Sequence, residues 1–480
     1  MTQNQPEKQD HILMIWRLAW PQTLMMFFHF WIGFVDVYVA GQLNDQIQAS
    51  LGIITQTLFF LLIVAMALAN GAVSTVSQSL GAKKETRAKR YCLLALVLVF
   101  GLGVVLALIG YGLRGMLLEW MRVPVQLRAI TDDFLQVFLC LLPIYYLFIV
   151  SNAVFRAQKR VFIPLIGMII CTLTNTVADF GLSFGLWGLP QLGYMGLAWA
   201  TFLSVSCGCL VVFIWLVCQG WFKMSHLPPW RWIKAGIPYL WKVAWPAGMM
   251  QVLWHAAFLV LFAITASLPA GEIKALAALT AGLRIESILF LPAIAFNMTA
   301  SILVGHYLGQ GDVQGSRRIG WKTWGLGCTL ITCMGGLVWI YAPELAAILS
   351  KQEAVQEEIL NYLYFNILAI PFTGTSLIIG GIFIGSGATR YNMWCIGGSV
   401  WGVRLPLAYV LGHVILAEAI GIWAAMLVSQ GIQATAMFCI FVYKDWPKFS
   451  MRARKFEKQV TGVQHGAHLP ASVNGKTNRV

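Results

Sequence analysis

Two stretches decide how the chain is built: LGAKKETRAKR, residues 80–90, and LGQGDVQGSRR, residues 308–318. Each starts with Leu-Gly, runs through polar residues and ends on a basic pair. Other landmarks recur in the same order. LAWPQ (18–22) is answered by VAWPA (243–247), so Pro21 matches Pro246. FRAQKR (155–160) is answered by FIGSGATR (383–390), with two extra residues, and GLAWA (196–200) by GIWAA (421–425). The offset is about 225 residues throughout. Four ordered landmarks make an internal duplication.

The segments between these landmarks are long and apolar. Of the 480 residues 59% are hydrophobic and 11% charged, with mean hydropathy +0.72. Soluble domains carry roughly twice that charge fraction. A helix needs about 20 apolar residues to cross a bilayer. Twelve such spans are expected, at 12–40, 50–78, 91–118, 130–153, 161–186, 193–218, 236–266, 275–306, 320–342, 355–384, 393–416 and 420–443. The leading MTQNQPEKQD holds two acids and one lysine, and the first apolar run is too long for a signal-peptide core, so span 1 is expected to be retained. The fold class is therefore an all-α polytopic membrane protein: two six-helix lobes of the same orientation, related by a pseudo-two-fold axis along the membrane normal. The expected divisions are an N-tail (1–11), an N-lobe (12–218), a linker (219–235), a C-lobe (236–443) and a basic tail (444–480).

Basic residues fall on alternate loops. They follow spans 2, 4, 6, 8 and 10 and fill the tail KDWPKFSMRARKFEK, whereas GQLNDQIQAS and GLWGLPQLG hold none. Lys and Arg concentrate on cytoplasmic loops, so both termini are expected inside, in the inner or plasma membrane. The net charge of +14 then reads as topology, with attraction to anionic lipid, and not as nucleic-acid binding. The ten cysteines lie within or beside apolar runs as packing residues, without metal-ligand spacing. No phosphate-binding loop, zinc motif or nucleophile triad is found, so no enzyme is expected and no cofactor.

Ionisable groups inside a span default to function. Asp36 lies late in span 1 and Asp179 late in span 5, while Thr201 lies early in span 6; all three fall in the outer half of the membrane. Asn175 sits one turn before Asp179 and shares its helix face. The repeat supplies a control. The C-terminal counterparts of Asp36, Asp179 and Thr201 fall near Leu261, Leu407 and Met426. The fold alone does not demand the polar groups. A solvated helix-end role remains the alternative for Asp36, beside AGQLND. Arg284 and Glu286, two residues apart in span 8, do not face each other. Arg404, near mid-span 11, reads as a structural staple or a water-lining group, and His255 as a packing histidine.

With these patterns the chain resembles the multidrug and toxic compound extrusion (MATE) family of transporters over residues 12–443. The resemblance rests on the two lobes and on WPQ…GFVDVYVAGQL, LGAKKETRAKR, FRAQKR and GYMGLAWATFLS, in that order. Span 7 reads AWPAGMMQVLWHAAFLVL and lacks the acid of the NorM-like branch, and span 10 has none beyond its first turns. The DinF-like branch is the better match. It implies that Asp36, Asn175, Asp179 and Thr201 hold the coupling cation, H⁺ or Na⁺, and that Asn152 lines the drug cavity. Oxygen ligands suit Na⁺, and a carboxylate pair can hold a proton. The implied protein is a monomer that exports amphiphilic, cationic drugs or toxic organic compounds by cation-coupled antiport. One rival is a lipid-linked oligosaccharide flippase, expected to line its cavity with several Arg or Lys. Another is a lipid-acting membrane enzyme, which would need convergent catalytic groups near an interface.

Overall fold

A computed structural model describes residues 11–223 and 227–452. Residues 1–10 of the expected N-tail, three linker residues and most of the basic tail therefore lie outside the described residues, while His11 begins the first helix. The twelve spanning helices are α1 (His11–Leu43), α2 (Asp45–Gly81), α3 (Glu85–Gly112), α4 (Val125–Ala157), α5 (Phe162–Phe184), α6 (Tyr194–Cys218), α7 (Trp230–Ala266), α8 (Glu272–Gln310), α9 (Val313–Ile340), α10 (Glu353–Ser386), α11 (Thr389–Ile415) and α12 (Ala419–Tyr443). Among the described residues there is no strand.

Local chemistry sets the helix ends. The Asn44 side chain accepts from the Gln46 N–H at 3.0 Å and caps α2. Asp312 accepts from the Gly315 N–H at 2.7 Å and caps α9. Helices α5, α8 and α10 stop at left-handed Gly185, Gly311 and Gly387. Several ends differ from expectation: α2, α4, α7 and α9 begin five to seven residues early, at residues 45, 125, 230 and 313. Span 3 was expected over 91–118, but α3 starts at Glu85 and stops at Gly112, with a separate short helix over Arg114–Trp120. Lys, Arg and Glu are good helix formers, and Glu85 pairs with Lys89 one turn on at 2.8 Å, so the charged start is helical. Gly110, Gly112 and Gly115 loosen the far end. Helix α11 carries π-helical turns at Val400–Arg404 and Val410–Ile415; its repeat counterpart α5 is a single α-helix.

Most buried apolar side chains form two large clusters. One is drawn chiefly from α1–α6 and the other from α7–α12, as the two lobes require. Each lobe's first helix crosses over. Ile15, Leu18 and Ala19 of α1 are buried in the C-lobe cluster, while Leu240 and Ala244 of α7 are buried in the N-lobe cluster. Leu108, Leu173 and Leu259 stand exposed on the outside, as side chains that face lipid do.

The polar links between lobes described next lie in the half of the molecule from which the basic loops emerge. Gln22 Nε2 donates to Thr299 Oγ1 at 2.9 Å. Gln78 Nε2 donates to Tyr239 Oη at 2.9 Å and to the Gly385 carbonyl at 2.8 Å, while Gln78 Oε1 accepts from the Met451 N–H at 2.9 Å. Backbones also touch: a Cβ on Gly81 would lie 2.1 Å from the His306 carbonyl oxygen, and one on Gly309 would lie 2.3 Å from that of Gln78. Gln78 thus ties α2 to α7, α10 and the segment after α12. Gln78→Ala should destabilise this closed end by about 2 to 3 kcal/mol, since it leaves buried partners unsatisfied. Thermal unfolding of the purified protein checks it.

Candidate functional site

Helices α1, α5 and α6 bring the N-lobe polar groups to one level. Asp36 lies seven residues before the end of α1, Asp179 five before the end of α5, and Thr201 seven after the start of α6. At 1.5 Å per residue these are about 8 to 11 Å from one membrane face, opposite the closed end. Helix α5 turns Asn175 and Asp179 inward; both are fully buried. Ala178, Leu182 and Ala200 pack as a small cluster between α5 and α6, beside Asp179 and Thr201 in sequence.

The structure brings Asp36, Asn175 and Asp179 together. Asn175 Nδ2 donates to Asp36 Oδ1 at 3.2 Å, and the Asp36 and Asp179 carboxyls lie within hydrogen-bonding reach of each other. Neither oxygen of Asp179, nor Asn175 Oδ1, finds a donor among the described residues. Two carboxylates at that separation repel unless a proton or another cation lies between them. Buried acceptor oxygens without donors are what a hard cation or a shared proton satisfies. Asp36 itself is half-buried. Tyr145 and Cys171 stand nearby, each in electrostatic range of Asp36.

Thr201 and Asn152 are placed differently. The Thr201 hydroxyl donates to the Leu197 carbonyl of its own helix at 3.1 Å; its lone pairs stay free for a cation, but no hydrogen bond joins it to Asp36 or Asp179. Asn152 is buried, with an unpartnered Oδ1, five residues from the closed end of α4. It lies towards the opposite membrane face from the carboxylate pair.

Sequence reasoning missed a second polar cluster, in the C-lobe. Glu286 of α8 is 7% exposed and Arg404 of α11 is 3% exposed. Both line one cavity with Trp254, Phe258, Asn366 and Gln430. Tyr362 lies beside Glu286, and Arg404 Nε donates to Ser429 Oγ at 2.8 Å. The signal was present, because a carboxylate and a guanidinium occur mid-span in the same half. Their 118-residue separation concealed that they meet.

A family model, MatE, matches residues 21–180 and again 246–410. The chain belongs to the MATE family. The two matches begin at Pro21 and Pro246, the prolines that answer each other in the repeat. Among the relatives of this MATE chain is an uncharacterized transporter of Bacillus subtilis, YisQ, 22% identical and covering 91% of this chain and 94% of its own. A probable multidrug resistance protein NorM of Thermotoga maritima is also 22% identical, covering 89% and 91%. A solved MOP superfamily transporter of Pyrococcus furiosus, described as having a binding pocket of reverse polarity, superimposes with a TM-score of 0.84 at 18% identity, over 92% of this chain and 97% of its own. The outward-facing conformation of a multidrug resistance MATE transporter superimposes at 0.83, with 18% identity, over 94% and 97%. At these identities the solved structures establish the MATE fold. The chain is a multi-pass membrane transporter.

Proposed function

We propose that the protein is a cation-coupled antiporter that exports amphiphilic, cationic organic compounds by alternating access, with H⁺ or Na⁺ as the coupling ion. The observation that carries this is the Asp36–Asn175–Asp179 group: two neighbouring carboxyls, one with both oxygens buried and lacking a donor among the described residues, inside a MATE lobe. The acids lie in α1 and α5, which favours the DinF-like arrangement. Thr201 joins as a fourth oxygen ligand when the cation binds, and Asn152 lines the path nearer the closed end. Relatives described as multidrug resistance proteins support the cargo class.

The ion's part follows from charge. With both carboxylates bare, a cationic amphiphile entering from the cytoplasm is held by them. A proton or Na⁺ arriving from outside neutralises the pair and releases the cargo. Rocking of the lobes then carries the ion inward. The flippase reading finds little support: the C-lobe cavity holds one Arg, set against one Glu.

The test is efflux of a fluorescent organic cation from reconstituted vesicles. A pH gradient or a Na⁺ gradient is imposed separately, with membrane potential clamped. Efflux driven by one of them supports the proposal; efflux that ignores both, at any potential, sinks it. The alternation of the basic loops supports cytoplasmic termini, in the inner or plasma membrane. In a chain freed of its own cysteines, Ala49→Cys should label from outside with an impermeant reagent, and Lys84→Cys only from inside. The reverse pattern would invert the direction of transport.

A further inference from the structure

The closed end holds a cavity that the transport mechanism leaves unused. It lies between the C-terminal ends of α2 and α8 and has a volume of about 510 Å³, within the range of small-ligand pockets. The N-lobe supplies Lys83, Lys84 and Arg87 to its wall; the C-lobe side supplies Gln310, with Arg452 from the segment after α12. Helices α2 and α8 are 37 and 39 residues long. At 1.5 Å per residue each exceeds about 50 Å, far more than the roughly 30 Å hydrocarbon layer. Their basic ends stand in headgroups or water.

Four cations share this wall, and among the described residues none of them is in an ion pair. The nearby acids are engaged elsewhere. Glu85 pairs with Lys89 at 2.8 Å, and Asp312 accepts from the Gly315 N–H at 2.7 Å. Arg87 is held by its Nε on Ser79 Oγ at 3.0 Å, and Arg452 donates from Nη1 to the Gln310 carbonyl. A guanidinium carries five N–H donors, so both keep donors to spare. The sequence beyond Arg452 adds Arg454, Lys455 and Lys458 against one acid, Glu457.

The duplication shows that the fold does not ask for these cations. In the repeat, Lys83 answers Gly311, Lys84 answers Asp312 and Arg87 answers Gly315. Lys83 and Gly311 both have left-handed backbone, at φ +56° and +87°, which favours Gly over a residue with a Cβ. Lys84 and Asp312 both stand at a helix N-cap; Asp312 caps α9, whereas the Lys84 side chain caps nothing. Acceptor side chains are preferred there. The N-lobe thus keeps lysines at two places where its own counterpart keeps the stabilising residue, and local rules are broken chiefly at functional sites. The uncapped start of α3 adds a preference for an anion.

The geometry points to a binding site here for a compact, multiply charged phosphate group, which bridges the lobes and holds the basic-loop end closed. Clustered cations call for several negative charges, and two of them are guanidiniums, whose planar forks match phosphate oxygens. Because both lobes supply the wall, the site is complete only while the seam is shut. A ligand that favours one state shifts the equilibrium towards it, so occupancy slows the cycle. That effect on transport rests on the alternating-access proposal; binding does not. The group belongs to a soluble oligophosphate or to a phosphomonoester lipid headgroup.

Calorimetry on the purified full-length protein in phosphatidylcholine nanodiscs, at fixed ionic strength, tests it with potassium tripolyphosphate. The wild type should bind the anion saturably, and at least about tenfold more tightly than K83G/K84N. That variant places Gly in the left-handed position and Asn at the N-cap, so it should be at least as stable to heat as the wild type. R318Q/R390Q removes two exposed cations that do not line the cavity, and should bind as the wild type does. Tripolyphosphate on the cytoplasmic side should slow gradient-driven efflux at least about threefold in the wild type and not in K83G/K84N. Native mass spectrometry from micelles of phosphatidylcholine and phosphatidic acid separates the two sources. Phosphatidic acid retained by the wild type and lost from K83G/K84N assigns the site to a headgroup; tripolyphosphate bound with no lipid retained assigns it to a soluble anion. Tripolyphosphate that fails to saturate, or an equal loss of affinity in R318Q/R390Q, overturns the site. Binding that leaves efflux unslowed overturns the bridge. If the anion binds as expected but no gradient drives efflux at all, the export proposal falls and the anion site stands.

Discussion

Asp36→Asn and Asp179→Asn should each reduce cation-driven efflux by about two orders of magnitude or more, while the protein inserts and purifies normally. The pair works only if it can change charge. One amide in place of a carboxyl keeps the shape, but removes the repulsion that makes the empty site seek a cation. Losing one member of a closely set charged group costs about 3 kcal/mol, or roughly a hundredfold. The two variants should differ in one respect. Asp179 is fully buried and has no donor, so its amide form relieves an unfavourable burial and should raise thermal stability. Asp36 is half-buried and accepts from Asn175, so its amide should leave stability near the wild-type value. Gradient-driven efflux at the wild-type rate in either variant would remove the pair from the coupling mechanism.

Gly81→Val should abolish the closed arrangement of the basic-loop end. The added Cβ would meet the His306 carbonyl oxygen at 2.1 Å, and neither backbone can yield, because each belongs to a long helix. Overpacking at such a contact costs about 3 kcal/mol, which lowers the closed population roughly a hundredfold. Spin labels at Thr86 and Gln314, both exposed and on opposite lobes, should then move apart. Efflux should fall with them, since one of the two alternating states is gone. Gly325→Val is the comparison: nothing lies within 4 Å of a Cβ there, and both distance and efflux should stay unchanged. An unaltered label distance in Gly81→Val would show that this seam does not control the closed state.

Hydropathy and the repeat made the twelve spans and two lobes legible, because burial in lipid demands apolar length and a duplication preserves its landmarks. The helix ends were less so. Glu85 to Arg90 read as loop because charge was taken for solvent, although those residues form good helix and pair along it. Asp36, Asn175 and Asp179 were legible since each is a polar group that a span must justify, and the structure sets them side by side. Thr201 showed its depth in sequence but not its bond to Leu197. The Glu286–Arg404 arrangement was not legible: α8 and α11 face each other only through tertiary packing, and the π turn that ends at Arg404 has no hydropathy signature. The exchange of α1 and α7 between lobes was equally hidden, since an apolar stretch does not name its partner.

That exchange has a consequence for how the molecule is made. The inner half of α1, with Ile15, Leu18 and Ala19, is buried against the C-lobe, and Gln22 finds Thr299 across 277 residues of chain. The ribosome adds about 5 to 20 residues per second, so roughly 15 to 55 s separate the synthesis of Gln22 from that of its partner. For that interval the first helix sits in the bilayer with a polar amide and no native acceptor across the lobe boundary. The N-terminal half is therefore not a finished domain when it leaves the translocon. It matures only when α8 arrives, and separately expressed halves can reach the native state only by finding each other in the membrane.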